Sequence, residues 1–126
     1  MSENELATIV FYQGLEVHKT LGPGLLESAY EECLFYLLVN ANLSVERQKG
    51  LPLIFHEVKM AIGYRVDLLI EGKLIVEIKA IESVTDVHMA QVLTYLKLSK
   101  CKLGLLINFN SSLFKDGFNR VINGKL

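Results

Sequence analysis

The segment from Leu103 to Phe109 constrains the fold more than any other part of the sequence, because it is an almost unbroken apolar run. A run of this kind is typical of a strand buried on both faces of a sheet. It follows a helical pattern over Asp86–Ser99, with Thr85 or Asp86 as the expected N-cap, and a strand pattern over Leu74–Lys79. A strand, a helix and a doubly buried strand predict a right-handed crossover into a parallel neighbour.

The first third of the chain predicts two helices separated at Gly22-Pro23-Gly24. A partial helical stripe of apolar residues runs from Leu6 to Leu21. From Leu25 to Ala41 apolar residues recur at three- and four-residue spacing.

A change of period after Leu43 predicts strands in the middle of the chain. The predicted strands are Val45–Lys49, Leu51–Phe55, Lys59–Ile70 and Leu74–Lys79. The tail from Ser111 to Leu126 is expected to cap the sheet. We therefore expect one α/β domain over residues 1–126, with a mixed sheet flanked by helices in the order α-α-β-β-β-α-β.

The composition predicts a globular protein, since 51% of the residues are apolar and 21% are charged. The mean hydropathy of +0.32 is high for a small domain. No apolar run reaches the roughly 18 residues of a membrane span, so the surplus indicates buried sheet and a homodimer interface. The acidic N-terminus lacks the pattern of a signal peptide, so we expect a cytoplasmic protein with no membrane contact.

The net charge of −1 argues against tight binding along many DNA phosphates, for which proteins are usually basic. Local basic patches remain compatible with that total. Lys97, Lys100 and Lys102 cluster in sequence, as do Arg47 and Lys49.

The strand Leu74–Lys79 carries two opposite charges, Glu77 and Lys79, which point to the same side because side chains alternate along a strand. Burying both is costly unless they are paired or bind a metal, whereas an exposed Glu–Lys pair at an edge would contribute little. The preceding apolar run favours the buried strand. If the loop between the two strands is the three-residue segment Glu71–Lys73, Asp67 would lie opposite Glu77. If the loop has two residues, Asp67 would lie on the other face.

Two carboxylates close together suit Mg²⁺ or Mn²⁺, which prefer oxygen ligands. Such a metal acidifies a bound water and stabilises charge on a phosphoryl group, while a lysine can orient the nucleophile. With nine residues between Asp67 and Glu77, followed by Lys79, the pattern resembles that of the PD-(D/E)XK nucleases.

Two further motifs carry this resemblance. Gly24-Leu-Leu-Glu27-Ser-Ala-Tyr30 is similar to the G-x-x-E-x-x-Y signature of small bacterial and archaeal proteins in the superfamily. At about 100° per residue, Glu27 lies nearer the apolar stripe of the second helix than Glu31 or Glu32 do. The alternative is a solvated glutamate favoured by the helix dipole.

The second motif is Gln91-Val-Leu-Thr-Tyr95, which resembles the Q-x-x-x-Y motif of RecB-like nucleases. His88, Gln91 and Tyr95 fall within about 60° on a helical projection, apart from the apolar face. The alternative is an ordinary polar helix face.

The resemblance runs from the second helix through Phe109 and implies a restriction-endonuclease-like core. It implies Asp67 and Glu77 as metal ligands and Lys79 as the catalytic lysine. It further implies roles for Glu27 as an additional acid and for Gln91 and Tyr95 as the helix motif. The one departure is Arg65-Val66 before Asp67, where the family name has a proline.

The expected function is a metal-dependent nuclease acting on DNA rather than RNA. The alternative is a non-catalytic module that keeps the fold and binds nucleic acid or protein. Because 126 residues leave no room for a separate recognition domain, specificity is expected to come from a homodimer or a protein partner.

Overall fold

A computed structural model describes all 126 residues as three α-helices and a five-stranded sheet. The helices are α1 (Glu3–Leu21), α2 (Glu27–Asn40) and α3 (Asp86–Ser99). The strands are β1 (Val45–Phe55), β2 (Val58–Ile70), β3 (Leu74–Lys79), β4 (Leu103–Asn108) and β5 (Phe118–Ile122), and a short 3-10 helix covers Phe114–Gly117. The predicted α/β class, the order of the elements through β4 and the mixed sheet are confirmed.

The strands lie in the order β1-β2-β3-β4-β5, in which only β3 and β4 are parallel. Two details differ from the expectation. The segments predicted on either side of Gly50 form one continuous strand, and the C-terminal tail adds β5 to the sheet because its backbone pairs with β4. A helical or capping tail would have left that edge of β4 unpaired.

The sheet is covered on both sides. Helices α1 and α2 pack on one side, here called the α2 side, over Leu68, Val76 and Ile78, among others. Helix α3 packs on the other, the α3 side, over Leu69 and Ile75, among others. Strands β3 and β4 lie between the two cores, which explains their continuous apolar sequences. None of the three helices combines the length with the apolar character that a membrane span requires.

Thr85 is the N-cap of helix α3, which settles the choice between the two predicted N-caps. The Thr85 and His88 side chains form a capping box, in which the Thr85 backbone N–H donates to His88 Nδ1 at 2.9 Å. This contact satisfies a backbone donor that would otherwise be unpaired at the start of the helix. His88 therefore stabilises the helix end.

The hairpin of β1 and β2 extends well beyond β3. Strand β2 pairs with β3 only over Leu68–Ile70, whereas its pairing with β1 continues to Val58. The two-residue turn His56-Glu57 has positive φ at both positions, the geometry of a type I′ hairpin turn. The outer part of this hairpin, residues 50–65, is here called the arm.

Gly104 allows α3 to lie directly on β4. A Cβ added there would meet Val92 Cγ1 at 2.7 Å and Leu96 Cδ2 at 3.3 Å, whereas one added at Gly50 would meet no heavy atom within 4 Å. Gly104→Ala should therefore destabilise the protein by about 1–3 kcal/mol through overpacking. Gly50→Ala, the matched control, should be neutral or slightly stabilising. Chemical denaturation measures both, and equal stability of the two variants would contradict this packing.

Candidate active site

The two candidate metal ligands meet where β2 and β3 separate. Ile70 pairs with Leu74, so the connecting loop has the three residues that the sequence argument required. Regular pairing stops at Leu68 and Val76. Beyond it, the Asp67 backbone N–H donates to Glu77 Oε2 at 2.7 Å, and the Ile78 N–H donates to Asp67 Oδ2 at 2.7 Å. Carboxylate oxygens thus take the place of backbone carbonyls between the two strands.

Strands β1 and β2 both change the face to which their side chains point at this level. Leu68 packs on the α2 side, as does its partner Arg47, which reaches α2, whereas Val66 packs on the α3 side. Residues two apart on a regular strand would share a face. The break lies at Asp67 and at Gln48, whose φ is +49°. The alternation behind the predicted common face is therefore interrupted, and the carboxylates meet in the gap between the strands.

Glu77 is a buried acid beside a second acid. Only 5% of the Glu77 surface is exposed to solvent. Burial, and then the nearby charge of Asp67, raise the pKa of Glu77 from 4.5 to about 8, while the positive charge of Lys79 acts weakly in the opposite direction. Lys79 is half-buried and forms no salt bridge. The site therefore holds a destabilised carboxylate pair and an uncommitted ammonium group.

Glu27 reaches the same region from the start of α2. Its Oε2 accepts a hydrogen bond from the Ala80 backbone N–H at 3.1 Å, just past the end of β3. Together with Asp67 it lines a cavity of about 230 Å³, whose other walls are Ser28, Glu31, Gln48 and Ile78. The structure therefore places Glu27 beside Asp67, in the wall of one cavity.

Glu31 also lies in the site, although the helical projection placed it farther from the core than Glu27. That ranking was wrong: Glu31 is 8% exposed and Glu27 is exposed. Glu31 accepts from Arg47 Nη2 at 2.9 Å and from Gln48 Nε2 at 2.8 Å, and the same Gln48 nitrogen donates to Asp67 Oδ1 at 3.2 Å. These contacts with β1 are tertiary, and a projection of one helix cannot reveal them.

The predicted Arg47–Lys49 basic patch is not free to bind an anion. Arg47 also bonds Glu32 at 2.7 Å, in addition to Glu31, and Lys49 pairs with Glu46 at 3.0 Å. Both cations are committed to the protein's own carboxylates.

Of the predicted helix motif, the structure brings only Tyr95 to the site. Tyr95 is buried in the α3-side core, rather than on a polar face, with its ring 5.9 Å from that of Tyr64. Burial, followed by the charges of Glu77 and Asp67, raises the pKa of Tyr95, so its hydroxyl senses the carboxylate pair. Gln91 is exposed and makes no hydrogen bond to these residues.

The donor set suits a hard divalent cation in part. Asp67 and Glu77 supply adjacent oxygen atoms, and a cation would relieve the repulsion that raises the pKa of Glu77. However, no group of three or more His, Cys, Asp or Glu residues comes together that could hold a metal. A cation here would complete its shell with water and backbone oxygens, as Mg²⁺ commonly does.

Comparisons with known proteins point in the same direction. A sequence model described as the PD-(D/E)XK nuclease superfamily matches residues 4–121. No curated protein sequence matches the chain. The crystal structure of the protein SSO0001 is similar at a TM-score of 0.50 and 21% identity, over 98% of this chain and 63% of that one. This chain thus spans less than two thirds of SSO0001, and the likeness concerns the fold alone.

Glu77→Gln should change how stability depends on pH in a chelator. Because the pKa of Glu77 in the folded protein is raised to about 8, the native state keeps a proton that the unfolded chain releases above about pH 4.5. The stability that this proton contributes is complete below pH 4.5 and declines as the pH rises towards 8. The glutamine variant lacks this decline and should be more stable than wild type at pH 8.5, by at least about 1 kcal/mol.

Chemical denaturation in EDTA between pH 5 and 9 measures the difference. Glu82→Gln, which removes one exposed carboxylate, is the matched control and should follow wild type. Parallel stability curves for wild type and Glu77→Gln would contradict the raised pKa.

Proposed function

The chain belongs to the PD-(D/E)XK nuclease superfamily, and we propose that it is a divalent-metal-dependent nuclease that hydrolyses phosphodiester bonds in DNA, in preference to RNA. One observation carries the proposal: Asp67 and Glu77 bond to each other's strands and hold two carboxylates together at the gap. An arrangement that raises the pKa of a buried acid is unfavourable for stability alone, and such perturbed groups concentrate at functional sites.

We propose Mg²⁺ or Mn²⁺ as the cofactor, held by Asp67 and Glu77. The cation would supply an acidified water and stabilise negative charge on the phosphoryl group. Asp67 already accepts from Ile78 and Gln48. Its oxygens are therefore shared, and two shared carboxylates favour weak metal binding.

Lys79 is proposed as the catalytic lysine. It lies two residues after Glu77 on β3 and forms no salt bridge. Its ammonium is therefore available to orient a water molecule or to donate to a phosphate oxygen. A lysine committed to a carboxylate could do neither without first breaking that pair.

Glu31 and Gln48 are proposed as positioning residues. The Gln48 amide donates to Glu31 and to Asp67, so it links the part-buried Arg47–Glu31 pair to one oxygen of the candidate metal ligand. Such support restricts the rotation of a ligating carboxylate. Glu27, bonded to Ala80, is proposed as the additional acid in the wall of the same cavity.

The alternative is a module that binds nucleic acid or protein without cleaving it. It is favoured by the small number of candidate ligands at the site and by the net charge of −1. The two functions differ in their response to a divalent cation. The nuclease gains stability from Mn²⁺ and cleaves with it, whereas the module does neither.

Cleavage should depend on Mn²⁺ and on three named residues. Wild type should rise in Tm with Mn²⁺ and cleave at least one of single-stranded, duplex or branched DNA more readily than matched RNA. Asp67→Asn and Glu77→Gln should lose both responses because each removes a ligand charge. Lys79→Ala should keep the Tm shift and lose cleavage, by on the order of 10²–10⁴-fold as for loss of a proton-transfer group.

Lys97→Ala, an exposed lysine on α3, is the control and should behave as wild type. A wild-type protein that shows neither a Tm shift nor cleavage would reject the nuclease and favour the module.

We further propose a homodimer, formed through the tip of the arm. Phe55 and Val58 pair across the hairpin and are 60% and 56% exposed. Apolar side chains left this exposed on a two-stranded ribbon favour association with another copy or a protein partner.

Sedimentation at micromolar concentration should give a species of twice the 14.2 kDa chain mass. Phe55→Ser should shift it towards 14.2 kDa, whereas Tyr12→Ser, an equally exposed aromatic on α1, should not. A wild-type protein that sediments only at 14.2 kDa would contradict the dimer.

A further inference from the structure

Two cations, Lys59 and Arg65, lie on one face of the arm. Arg65 pairs with Gly50, Gly63 with Pro52, and Lys59 with Ile54. Directly paired residues share a face, and so do residues two apart on one strand. Lys59 and Arg65 therefore point to the same side of the arm, although β2 carries two extra residues between Gly63 and Lys59.

This face is the one that leads to Asp67. The residues on either side of Arg65 point the other way, since Tyr64 lies beside Tyr95 of α3 and Val66 packs in the α3-side core. Arg65 is thus directed to the α2 side, where the cavity lined by Asp67 opens. Arg65 and Asp67 are two residues apart on β2, or about 7 Å along the strand.

The surface between the two cations is concave. A depression of about 470 Å³ is lined by Lys59 and Arg65, together with Gly50, Leu51, Pro52, Gly63 and Tyr64. No heavy atom lies within 4 Å of the Cβ position at Gly50, so the backbone is open there at the floor of the depression. An extended chain of phosphates could therefore approach the sheet closely.

Neither cation is neutralised by the protein. Lys59 and Arg65 are exposed and form no salt bridge, in contrast to Arg47 and Lys49 on the neighbouring strand. Their positive charges are complementary to a polyanion. Binding to a phosphate would break no salt bridge of Lys59 or Arg65, whereas it would break those of Arg47.

The other lysine cluster is poorly placed to serve the carboxylates. Lys102 precedes Leu103, which pairs with Leu74 at the start of β3, whereas Glu77 pairs with Leu106 three residues further along. Lys97 and Lys100 lie at the C-terminal end of α3, near the start of β4. This cluster is therefore about 10 Å or more from Glu77 along the strands.

We propose that the Lys59–Arg65 face of the arm binds the sugar-phosphate backbone of the nucleic acid and guides it to Asp67 and Glu77. The inference rests on the proposed nuclease function for its choice of ligand. The two cations each contact a phosphate, and the glycine floor admits the backbone between them. The face therefore supplies affinity along the strand while the carboxylates act at its end.

The test measures binding separately from cleavage. Labelled 25-nucleotide single-stranded DNA and the corresponding duplex are titrated with the full chain in EDTA, from 50 to 200 mM salt. Lys59→Gln combined with Arg65→Gln should weaken binding on the order of tenfold and flatten the salt dependence by about 1.4 for single strands or 1.8 for duplex. Lys97→Gln combined with Lys102→Gln, the control with the same charge change, should stay within about twofold.

A second variant tests the concavity without changing charge. A Cβ at Gly50 meets no heavy atom within 4 Å, so Gly50→Leu should fill the depression, leave the Tm unchanged and weaken binding several-fold.

Equal losses in the two double variants, full binding by the arm variants, or no binding by wild type would each overturn the proposal. Cleavage by wild type in Mn²⁺ together with unaffected arm variants would reject this surface and leave the nuclease standing. Loss of binding in the arm variants without any wild-type cleavage would support the surface and reject the nuclease.

Discussion

The site depends on two hydrogen bonds between β2 and β3. In one the Asp67 backbone N–H donates to the Glu77 carboxylate, and in the other the Ile78 N–H donates to the Asp67 carboxylate. At this level β2 and β3 no longer pair through their backbones, and two N–H groups would be left without partners. Each carboxylate accepts one of them at 2.7 Å. Because a buried, unpaired N–H is costly, the same contacts that satisfy the sheet also fix the two acids side by side. The candidate metal site is therefore part of how the sheet is held together.

Where β2 and β3 separate, side chains from β1 and α2 surround the two acids. Gln48, opposite Asp67 on β1, takes a left-handed conformation that costs a non-glycine residue about 1–2 kcal/mol. In return its amide bonds both Glu31 and Asp67. Glu31 in turn holds Arg47, so the acid on α2 is neutralised and the pair between the strands is not. Negative charge left uncompensated at one place in a buried network is where a cation would bind most favourably.

The sequence predicts those features that follow from local periodicity. The apolar run of β4 after an amphipathic helix correctly predicts the parallel crossover. For the β2–β3 register the sequence left two loop lengths open, and the structure has the three-residue loop. Periodicity fails where tertiary contacts decide. It cannot detect the face change at Gln48, the burial of Glu31 by its pairing with Arg47, or the pairing of β5 with β4. It also placed Gln91 with Tyr95, and only Tyr95 lies near the acids.

The net charge of −1 does not distinguish charged groups that are paired within the protein from those that are free. Arg47 forms salt bridges with Glu31 and Glu32, and Lys49 forms one with Glu46. When these paired groups are left out of the net charge, two cations and three acids are left out together. What remains around the site is uneven: Lys59 and Arg65 are unpaired on the arm, Lys79 is unpaired on β3, and the acids are gathered in the gap. On the proposed function, a polyanion bound along the arm would contact Lys59 and Arg65, while Asp67 lies two residues beyond Arg65 on β2. Such an arrangement would separate the attraction of phosphate from its chemistry, and it requires no overall basic composition.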